Sequence, residues 1–447
     1  MSITLSSKLM RWGSVAILIR FLSAGLGFGL IFVLSKWMTT TQFGHFGFAF
    51  SVATTVSLVT DLGQKRLILR SLAAYRERDR PDLMRAVLHY SVAKTAMGAL
   101  LAALIIFSFN AASDMNASAF AVALLSIGML AADFQAHILR GLDSLVGSLV
   151  PREIVWRPIA LGILALSGGG ISIWVDANAA IWVLAWSLAF LTFLQFLFLT
   201  RPRWRAAMTK FAEFKEPASS DEETISQSKA GWHASSMRLW AVSAMNSGIL
   251  PFSVVVVGIF VSPAETGAFF AVVRIAAVIA FPLQGLNLLT SPLLARAYAA
   301  NDHDRLQRVA SFTALWSTAA ALAGIAVLAL FGELLLGLLN KEFASSATTQ
   351  LVVMCGFVIA AMCGSSGQLM NMTGHDREFL RILLIANPIG FASLILLSYL
   401  YGGLGAAFGL LLLKAIWNIW VVFWARRNLG IDPSVAAYLL PIKERAS

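Results

Sequence analysis

Long apolar runs separated by short polar or basic stretches make up most of this chain of 447 residues. Twelve of the runs have about 18 to 25 residues, the length that a helix needs to cross the hydrocarbon core of a bilayer. We therefore predict twelve membrane-spanning helices. The predicted spans are 12–35, 43–60, 86–108, 118–139, 154–172, 179–199, 236–260, 267–289, 309–331, 347–369, 380–400 and 405–425.

The overall composition agrees with this pattern. Hydrophobic residues make up 58% of the chain, charged residues 13%, and the mean hydropathy is +0.76. A soluble domain is about half apolar and about one quarter charged. The chain is therefore predicted to be an all-α integral membrane protein.

A net charge of +11 is the one feature that might indicate a nucleic-acid partner. The basic residues, however, are distributed by side of the membrane. Of the 34 lysines and arginines, 28 lie on alternate connections of one side, and only Lys36 and Lys341 lie on the other side. Because cytoplasmic loops are enriched in basic residues, this split predicts cytoplasmic N- and C-termini and no nucleic-acid partner.

The longest polar stretch divides the chain near its middle. Residues 201–235 include Pro202, Pro217 and the run Ser219-Ser220-Asp221-Glu222-Glu223. We interpret this stretch as a cytoplasmic linker. The predicted domains are an N-terminal six-helix lobe (1–200), the linker (201–235) and a C-terminal six-helix lobe (236–447).

The two halves show a weak internal repeat, in which similar residues recur at one constant offset along the chain. Matching pairs are Gly44 and Gly267, Phe46 and Phe269, Ala53 and Ala276, Tyr75 and Tyr298, Asp79 and Asp302, Leu83 and Leu306, and Arg85 and Arg308. Both copies of the matched span run in the same direction, so the repeat is parallel, about an axis along the membrane normal. Two parallel-repeat six-helix bundles around a central cleft are typical of a transporter.

Four cations lie well inside the predicted spans, namely Arg20, Lys94, Arg274 and Lys414, whereas Arg157 and Arg238, near span ends, are counted with the cytoplasmic connections. Each costs about 2.5–3.5 kcal/mol on the membrane-insertion scale, and Asp133 is the clearest acid that could offset them. An excess of buried cations predicts a water-filled cavity and an anionic substrate. The alternatives are pairing with Asp133, a carbonyl or a lipid headgroup and, for Lys94, extension to the membrane surface.

Asp133 and His137 lie four residues apart and are therefore on one face of the fourth predicted span. A carboxylate and an imidazole at this spacing are a candidate for ion coupling, because histidine titrates near neutral pH. The alternatives are a structural hydrogen bond or an ion pair between Asp133 and an interior cation.

Sequence motifs of catalysis are absent. The chain has no phosphate-binding glycine loop, no paired-histidine zinc motif and no nucleophile elbow. We therefore predict a protein that is not an enzyme, with no catalytic residues, no metal site and no cofactor.

Several short motifs resemble one membrane-protein family. Phe43-Gly44, Asp61-Leu62-Gly63 and Arg70 in the first half, and the stretch 265–274 with Pro292 in the second, are similar to the polysaccharide-export branch of the MOP (multidrug/oligosaccharidyl-lipid/polysaccharide) flippase superfamily. Through the span count and the repeat, the resemblance covers essentially the whole chain. One departure is Lys36-Trp37-Met38-Thr39, where that branch often has arginine-leucine-glycine.

The resemblance implies an O-antigen or exopolysaccharide flippase. Such a protein moves undecaprenyl-diphosphate-linked oligosaccharide repeat units from the cytoplasmic to the periplasmic leaflet of the bacterial inner membrane by alternating access. Its partners would be this lipid-linked glycan, membrane lipids and other membrane proteins of polysaccharide assembly. Because arginine binds phosphate oxygens bidentately, Arg20 and Arg274 are the first candidates for substrate binding, followed by Lys414 and Lys94.

Three other functions are compatible with the sequence. Two are transport functions, those of a lipid II flippase and of a drug-exporting relative. A drug exporter for cations is expected to have acids in its cleft rather than Arg20 and Arg274. The third is that of a membrane glycan polymerase or ligase, which needs catalytic residues on sizeable outer loops.

Overall fold

The computed structural model of the protein describes residues 2–112, 116–166, 175–212 and 222–438. These residues form helices and connecting turns, and they contain no strand. The predicted all-α membrane fold is therefore confirmed. The chain divides into two compact units, Met1–Phe252 and Ser253–Ser447, which are described separately.

The first unit is built around a central helix, α5, because 67% of the most apolar window of that helix is buried. Its helices are α1 (Ser2–Trp37), α2 (Thr40–Val59), α3 (Gln64–Glu77), α4 (Pro81–Ala112), α5 (Ala119–Gly141), α6 (Leu145–Val150), α7 (Trp156–Leu164), α8 (Ala177–Gln195), α9 (Arg201–Ala212), α10 (Glu222–Ser247) and the start of α11 (Ile249–Phe260). Short π-helical turns join α6 to α7 (Pro151–Val155) and α8 to α9 (Phe196–Thr200).

The second unit is built around the segment Pro263–Asn287, which comprises α12, a 3₁₀ turn and the start of α13; 61% of its most apolar window is buried. After the end of α11, its helices are α12 (Pro263–Ala276), α13 (Phe281–Ala299), α14 (His303–Leu339), α15 (Ala347–Met362), α16 (Ser366–Met372) and α17 (Asp376–Asn428). Short 3₁₀ turns are Ala277–Ala280, Lys341–Ser346 and Val435–Tyr438. Tyr401 and Gly402 have non-helical backbone angles, so α17 consists of two helices, 376–400 and 403–428.

The predicted spans fall mainly on helices. The span 236–260 is broken at Gly248, the span 347–369 is interrupted by a turn at residues 363–365, and residues 167–172 of the fifth span lie outside the described residues. By length and apolar character, seven described helices qualify as spans, or up to nine if each of two bent pairs counts as one. This number is below twelve for two reasons. Helix α17 contains two predicted spans but is counted once, and the apolar part of α1 (Phe21–Trp37) is slightly too short to be counted as a span. The fifth span is only partly described. A twelve-helix arrangement is consistent with these observations.

The internal repeat is visible in the way that α2 and α12 begin. The Thr39 hydroxyl accepts a hydrogen bond from the Gln42 backbone N–H (3.2 Å), and the Ser262 hydroxyl accepts one from the Glu265 N–H (3.3 Å). Both are N-caps of the same kind, three residues from the donor. The two caps are separated by the same offset along the chain as the matching pairs of the repeat.

The side chains of the capped residues have equivalent roles in the two units. Gln42 Oε1 accepts from the Ala177 N–H (3.0 Å) at the start of α8, and Glu265 Oε1 accepts from the Gly403 N–H (2.8 Å) at the start of the helix 403–428. Each side chain thereby accepts a hydrogen bond from a backbone N–H at the N-terminus of the last helix of its half, where the helix itself provides no acceptor. In this way, the second predicted span of each half positions the last one.

Replacing Glu265 with alanine is expected to lower the free energy of unfolding by about 1–2 kcal/mol, because the Gly403 N–H loses its acceptor. Thermal unfolding of the detergent-solubilised protein measures the effect. Glu265→Gln keeps an acceptor oxygen and should lose less than half as much. The exposed Glu333 provides the matched control. Equal destabilisation by Glu265→Ala and Glu333→Ala would contradict this role.

Helix α10 packs on the first unit through its tryptophans. Trp232 is 4% exposed within an apolar cluster of α3, α4 and α5, and its Nε1 donates to the Tyr75 hydroxyl (2.7 Å). Trp240 Nε1 donates to the Val59 carbonyl (2.6 Å). These contacts explain why the first unit extends to Phe252, beyond the predicted linker.

The turn between α2 and α3 requires glycine at position 63. The backbone of Gly63 is left-handed (φ 73°), which favours glycine. A Cβ atom here would lie 2.1 Å from the Ser236 carbonyl oxygen of α10. Gly63 therefore allows both the turn and the close approach of α10.

A buried aspartate attaches the segment after α17 to the second unit. Asp432 is 1% exposed, and its Oδ2 lies 2.5 Å from Arg426 Nη2. The Gln307 amide donates to the Asp432 carbonyl (2.7 Å) and accepts from the Asp432 N–H (2.8 Å). These bonds join the chain after α17 to α14.

Asp432→Ala is expected to destabilise the protein by about 1–3 kcal/mol, because it removes the acceptor of a charged hydrogen bond and leaves a cavity. The unfolding midpoint in detergent should fall. The control is Asp304→Ala, since Asp304 is exposed in the same unit. A midpoint unchanged from that of the control would show that Asp432 does not hold this segment.

Candidate functional site

The segment 145–164 places three charged residues in an otherwise apolar helix of the first unit. Pro151 has no backbone N–H to donate, and a π-helical turn, Pro151–Val155, begins at this residue. Such turns are frequent at functional sites. Arg152 and Glu153 lie within the turn and contact different helices, so this segment has charged contacts on two sides.

On one side, Arg152 completes a chain of charges that we call the inner charge cluster, formed by Asp61, Lys65, Asp133 and Arg152. Arg152 forms an ion pair with Asp133. Lys65 Nζ lies 3.9 Å from Asp133 Oδ2 and 3.7 Å from Asp61 Oδ2. Asp61 is 2% and Lys65 8% exposed, whereas the side chains of Asp133 and Arg152 are 18% and 29% exposed, so the cluster is buried at one end and partly open at the other.

The inner charge cluster alternates in sign, with two acids and two cations. Taking such charges out of water is costly, and mutual pairing offsets the cost only when each charge has a partner. Removing one member is therefore far more harmful than removing a surface ion pair. Asp133 thus pairs with cations, but its partners Lys65 and Arg152 are residues that the sequence assigned to cytoplasmic connections and not to the interior of spans.

On the other side, Glu153 and Arg157 contact α1. Arg157 Nη1 donates to the Ser23 carbonyl (3.1 Å), the Ser23 hydroxyl (2.8 Å) and the Glu153 carbonyl (2.8 Å). The Ser23 hydroxyl donates to the Glu153 carboxylate. A second cation is thus held against the first predicted span by one carboxylate and neutral oxygens.

Asp133 and His137 lie on one face of α5, as the spacing predicts, but their side chains contact different partners. His137 Nδ1 lies 2.7 Å from the backbone carbonyl of Asp133. Arg140 Nη2 lies 3.3 Å from both ring nitrogens. The Asp133 carboxylate contacts Lys65 and Arg152 instead. Ion coupling through these residues remains a proposal.

The other predicted cations of the first unit lie on separate helices. Arg20 belongs to α1, three residues before Ser23, and its side chain lies outside the described part of the structure. Lys94 belongs to α4 and is half-buried. Only 17% of the most apolar window of α4 is buried, so extension of Lys94 to the surface remains an alternative.

The predicted cations of the second unit contact aromatic rings. The Arg274 guanidinium lies 5.1 Å from the ring centroid of Phe270, one turn earlier in α12. Lys414 Nζ lies 4.2 Å from the ring centroid of Phe357. Lys414 is half-buried, and no carboxylate of the described residues lies within salt-bridge distance of it.

Sequence reasoning did not identify the contributions of Arg152, Glu153 and Arg157. Arg152 precedes the fifth predicted span and Arg157 lies near its start, so both arginines were assigned to a cytoplasmic connection. The available signal was the pattern of charges at 152, 153 and 157, directly after Pro151 and between apolar residues.

Comparisons with known proteins agree with this architecture. The MatE family model matches residues 241–400. A multidrug resistance MATE family transporter of the MOP superfamily, in an inward-facing conformation, superposes with a TM-score of 0.68 at 14% identity, covering 93% of this chain and 94% of that chain. The Vibrio cholerae MATE transporter VcmN, in a mutant form, gives a TM-score of 0.61 at 13% identity, covering 96% and 97%.

An outward-facing structure of a multidrug resistance MATE family transporter also matches, with a TM-score of 0.57 at 13% identity and coverage of 94% and 95%. No curated protein sequence matches the chain. At these identities the structural matches define the fold, which is that of the MATE transporters of the MOP superfamily.

Proposed function

We propose that the protein is a membrane transporter that moves polyprenyl-diphosphate-linked oligosaccharides between membrane leaflets by alternating access. The fold supports the transport mechanism, since the superposed transporters have been found in inward-facing and outward-facing conformations. The chemistry of the interior side chains supports the substrate class. In this proposal the substrate is recognised chiefly by its diphosphate.

The observation that carries the proposal is the environment of Lys414. An aromatic ring 4.2 Å away attracts an ammonium group but leaves its full positive charge. A charge inside a span is expensive, and such residues commonly mark substrate pathways. A diphosphate would supply the missing counter-charge, whereas a cationic substrate would be repelled.

The interior of the first unit is more nearly balanced in charge. Asp61, Asp133 and Glu153 offset Lys65, Arg152 and Arg157. In our proposal, Arg157 can bind substrate phosphate because Ser23 contributes neutral oxygens to its contacts. Arg20 and Arg274 are also proposed to bind substrate phosphate, and Lys94 is a further candidate for this role.

Export of cationic drugs is the second candidate function. The MatE match and the superposed multidrug transporters favour it. The carboxylates Asp61 and Asp133 are the groups that would attract a cationic drug, although both pair with cations in this structure. The two candidates therefore differ in which charge of the interior binds the substrate.

A transport assay in liposomes tests the proposal. Reconstituted wild-type protein should transfer a fluorescent undecaprenyl-diphosphate oligosaccharide between leaflets and should not transport a cationic dye. Lys414→Ala should reduce this transfer, and Lys414→Arg should retain part of it because the charge is kept.

The matched control is Lys341→Ala, which removes one exposed lysine of the same unit. It should transfer lipid at the wild-type rate. Robust dye transport without lipid transfer would overturn the proposal in favour of drug export. Equal rates for Lys414→Ala and Lys341→Ala would remove the assignment of Lys414.

A further inference from the structure

The second unit has a largely apolar groove, and two exposed arginines are among the residues that line it. It lies between α13 and the first turns of α14 and has a volume of about 380 Å³. Arg305 and Arg308 line one end. The groove continues along Leu286, Leu289, Leu293 and Phe312.

The positions of the lining residues give the groove a direction. Arg305 and Arg308 lie three residues apart and therefore on one face of α14, followed on that face by Phe312. From Arg305 to Phe312, the helix advances by about 10 Å. The arginines lie near the turn that joins α13 to α14, the end that the charge pattern predicts to be cytoplasmic.

The apolar part of the groove is open to the surroundings of the unit. Leu289 is 58% and Phe312 49% exposed. We expect such exposed apolar side chains of a membrane-spanning helix to contact lipid. Lipid tails therefore have direct access to the groove.

Among the described residues, the two arginines that line the groove have no counter-charge within salt-bridge distance. The nearby Asp302 carboxylate accepts from the Arg305 backbone N–H (2.9 Å) as the cap of α14. Two adjacent guanidinium groups match a phosphate, which they can bind through parallel hydrogen bonds.

We infer that this groove binds one anionic phospholipid, with its headgroup phosphate at Arg305 and Arg308 and the upper part of an acyl chain along Leu289, Leu293 and Phe312. A groove of about 10 Å accommodates only part of a chain, which suits a phospholipid better than a long polyprenyl tail. The site is separate from the proposed transport function, because it uses neither Lys414 nor Arg274.

Native mass spectrometry of the full-length protein in detergent tests this inference, with phosphatidylglycerol as the probe. The wild type should retain one tightly bound lipid. Arg305→Gln/Arg308→Gln should weaken that binding about thirtyfold, since each of the two basic residues near a membrane surface contributes about 1 kcal/mol to anionic lipid binding and about 1.4 kcal/mol corresponds to a factor of ten. Leu289→Trp should fill the groove, keep both arginines and weaken binding as well.

Arg377→Gln/Arg381→Gln is the matched control, because it removes two exposed arginines of α17 in the same unit. It should bind phosphatidylglycerol within twofold of the wild type. Equal weakening by this control would show general charge attraction and overturn the site. Wild-type binding by Leu289→Trp would exclude the groove, and tighter binding of undecaprenyl phosphate or phosphatidylcholine would overturn the proposed occupant.

Discussion

Replacing Asp133 with alanine is expected to lower the free energy of unfolding by about 3 kcal/mol, because it leaves Arg152 without its ion-pair partner and removes one of the two acids beside Lys65. Asp133 pairs with Arg152 and lies 3.9 Å from Lys65, whose side chain is only 10% exposed. The loss should appear as a clear fall of the unfolding midpoint in detergent. Tryptophan fluorescence during heating also measures it.

Two further variants separate the ion pair from general effects of mutation. Glu77→Ala removes an exposed acid from the same unit and should leave the midpoint nearly unchanged. Asp133→Asn/Arg152→Gln removes both charges and should recover part of the stability lost in Asp133→Ala. If Asp133→Ala melted like Glu77→Ala, the inner charge cluster would not stabilise the first unit.

Replacing Arg274 with alanine is expected to reduce transfer of the lipid-linked oligosaccharide at least tenfold. A hydrogen bond to a charged group contributes about 1.5–3 kcal/mol, and about 1.4 kcal/mol corresponds to a factor of ten. Arg274→Lys should show an intermediate rate, because it keeps the charge but loses the planar fork that binds phosphate bidentately. The initial rate of leaflet transfer in liposomes measures both.

The control for Arg274 is Arg296→Ala, which removes an exposed arginine of the same unit. It should transfer the substrate at the wild-type rate. A rate for Arg274→Ala equal to that of the Arg296 control, in protein that remains folded, would exclude Arg274 from substrate binding.

Hydrophobic length was enough to predict the helical architecture. A helix in lipid must satisfy its backbone internally and must be long enough to cross, so an apolar run nearly specifies the element. The break at Tyr401 and Gly402 coincides with the predicted boundary between the last two spans. The offset of the internal repeat also aligns Thr39 with Ser262, and the structure shows the same cap at both.

The functional equivalence of Gln42 and Glu265 was not predicted, because the two residues differ in type. Both supply one acceptor oxygen to the backbone of a later helix, which only the folded structure shows. The same reason applies to Arg152 and Arg157. Their partners, Asp133 and Ser23, are distant in sequence, so no local pattern identifies the pairing.

The most direct test of the central claim, that the interior cations bind an anionic substrate, is a comparison of two dissociation constants. One is measured for the undecaprenyl-diphosphate oligosaccharide, and the other for an uncharged polyprenyl glycoside with the same sugars. We predict that the diphosphate compound binds at least tenfold more tightly and that Lys414→Ala reduces the difference. Equal affinities for the two compounds in the wild type would contradict the account.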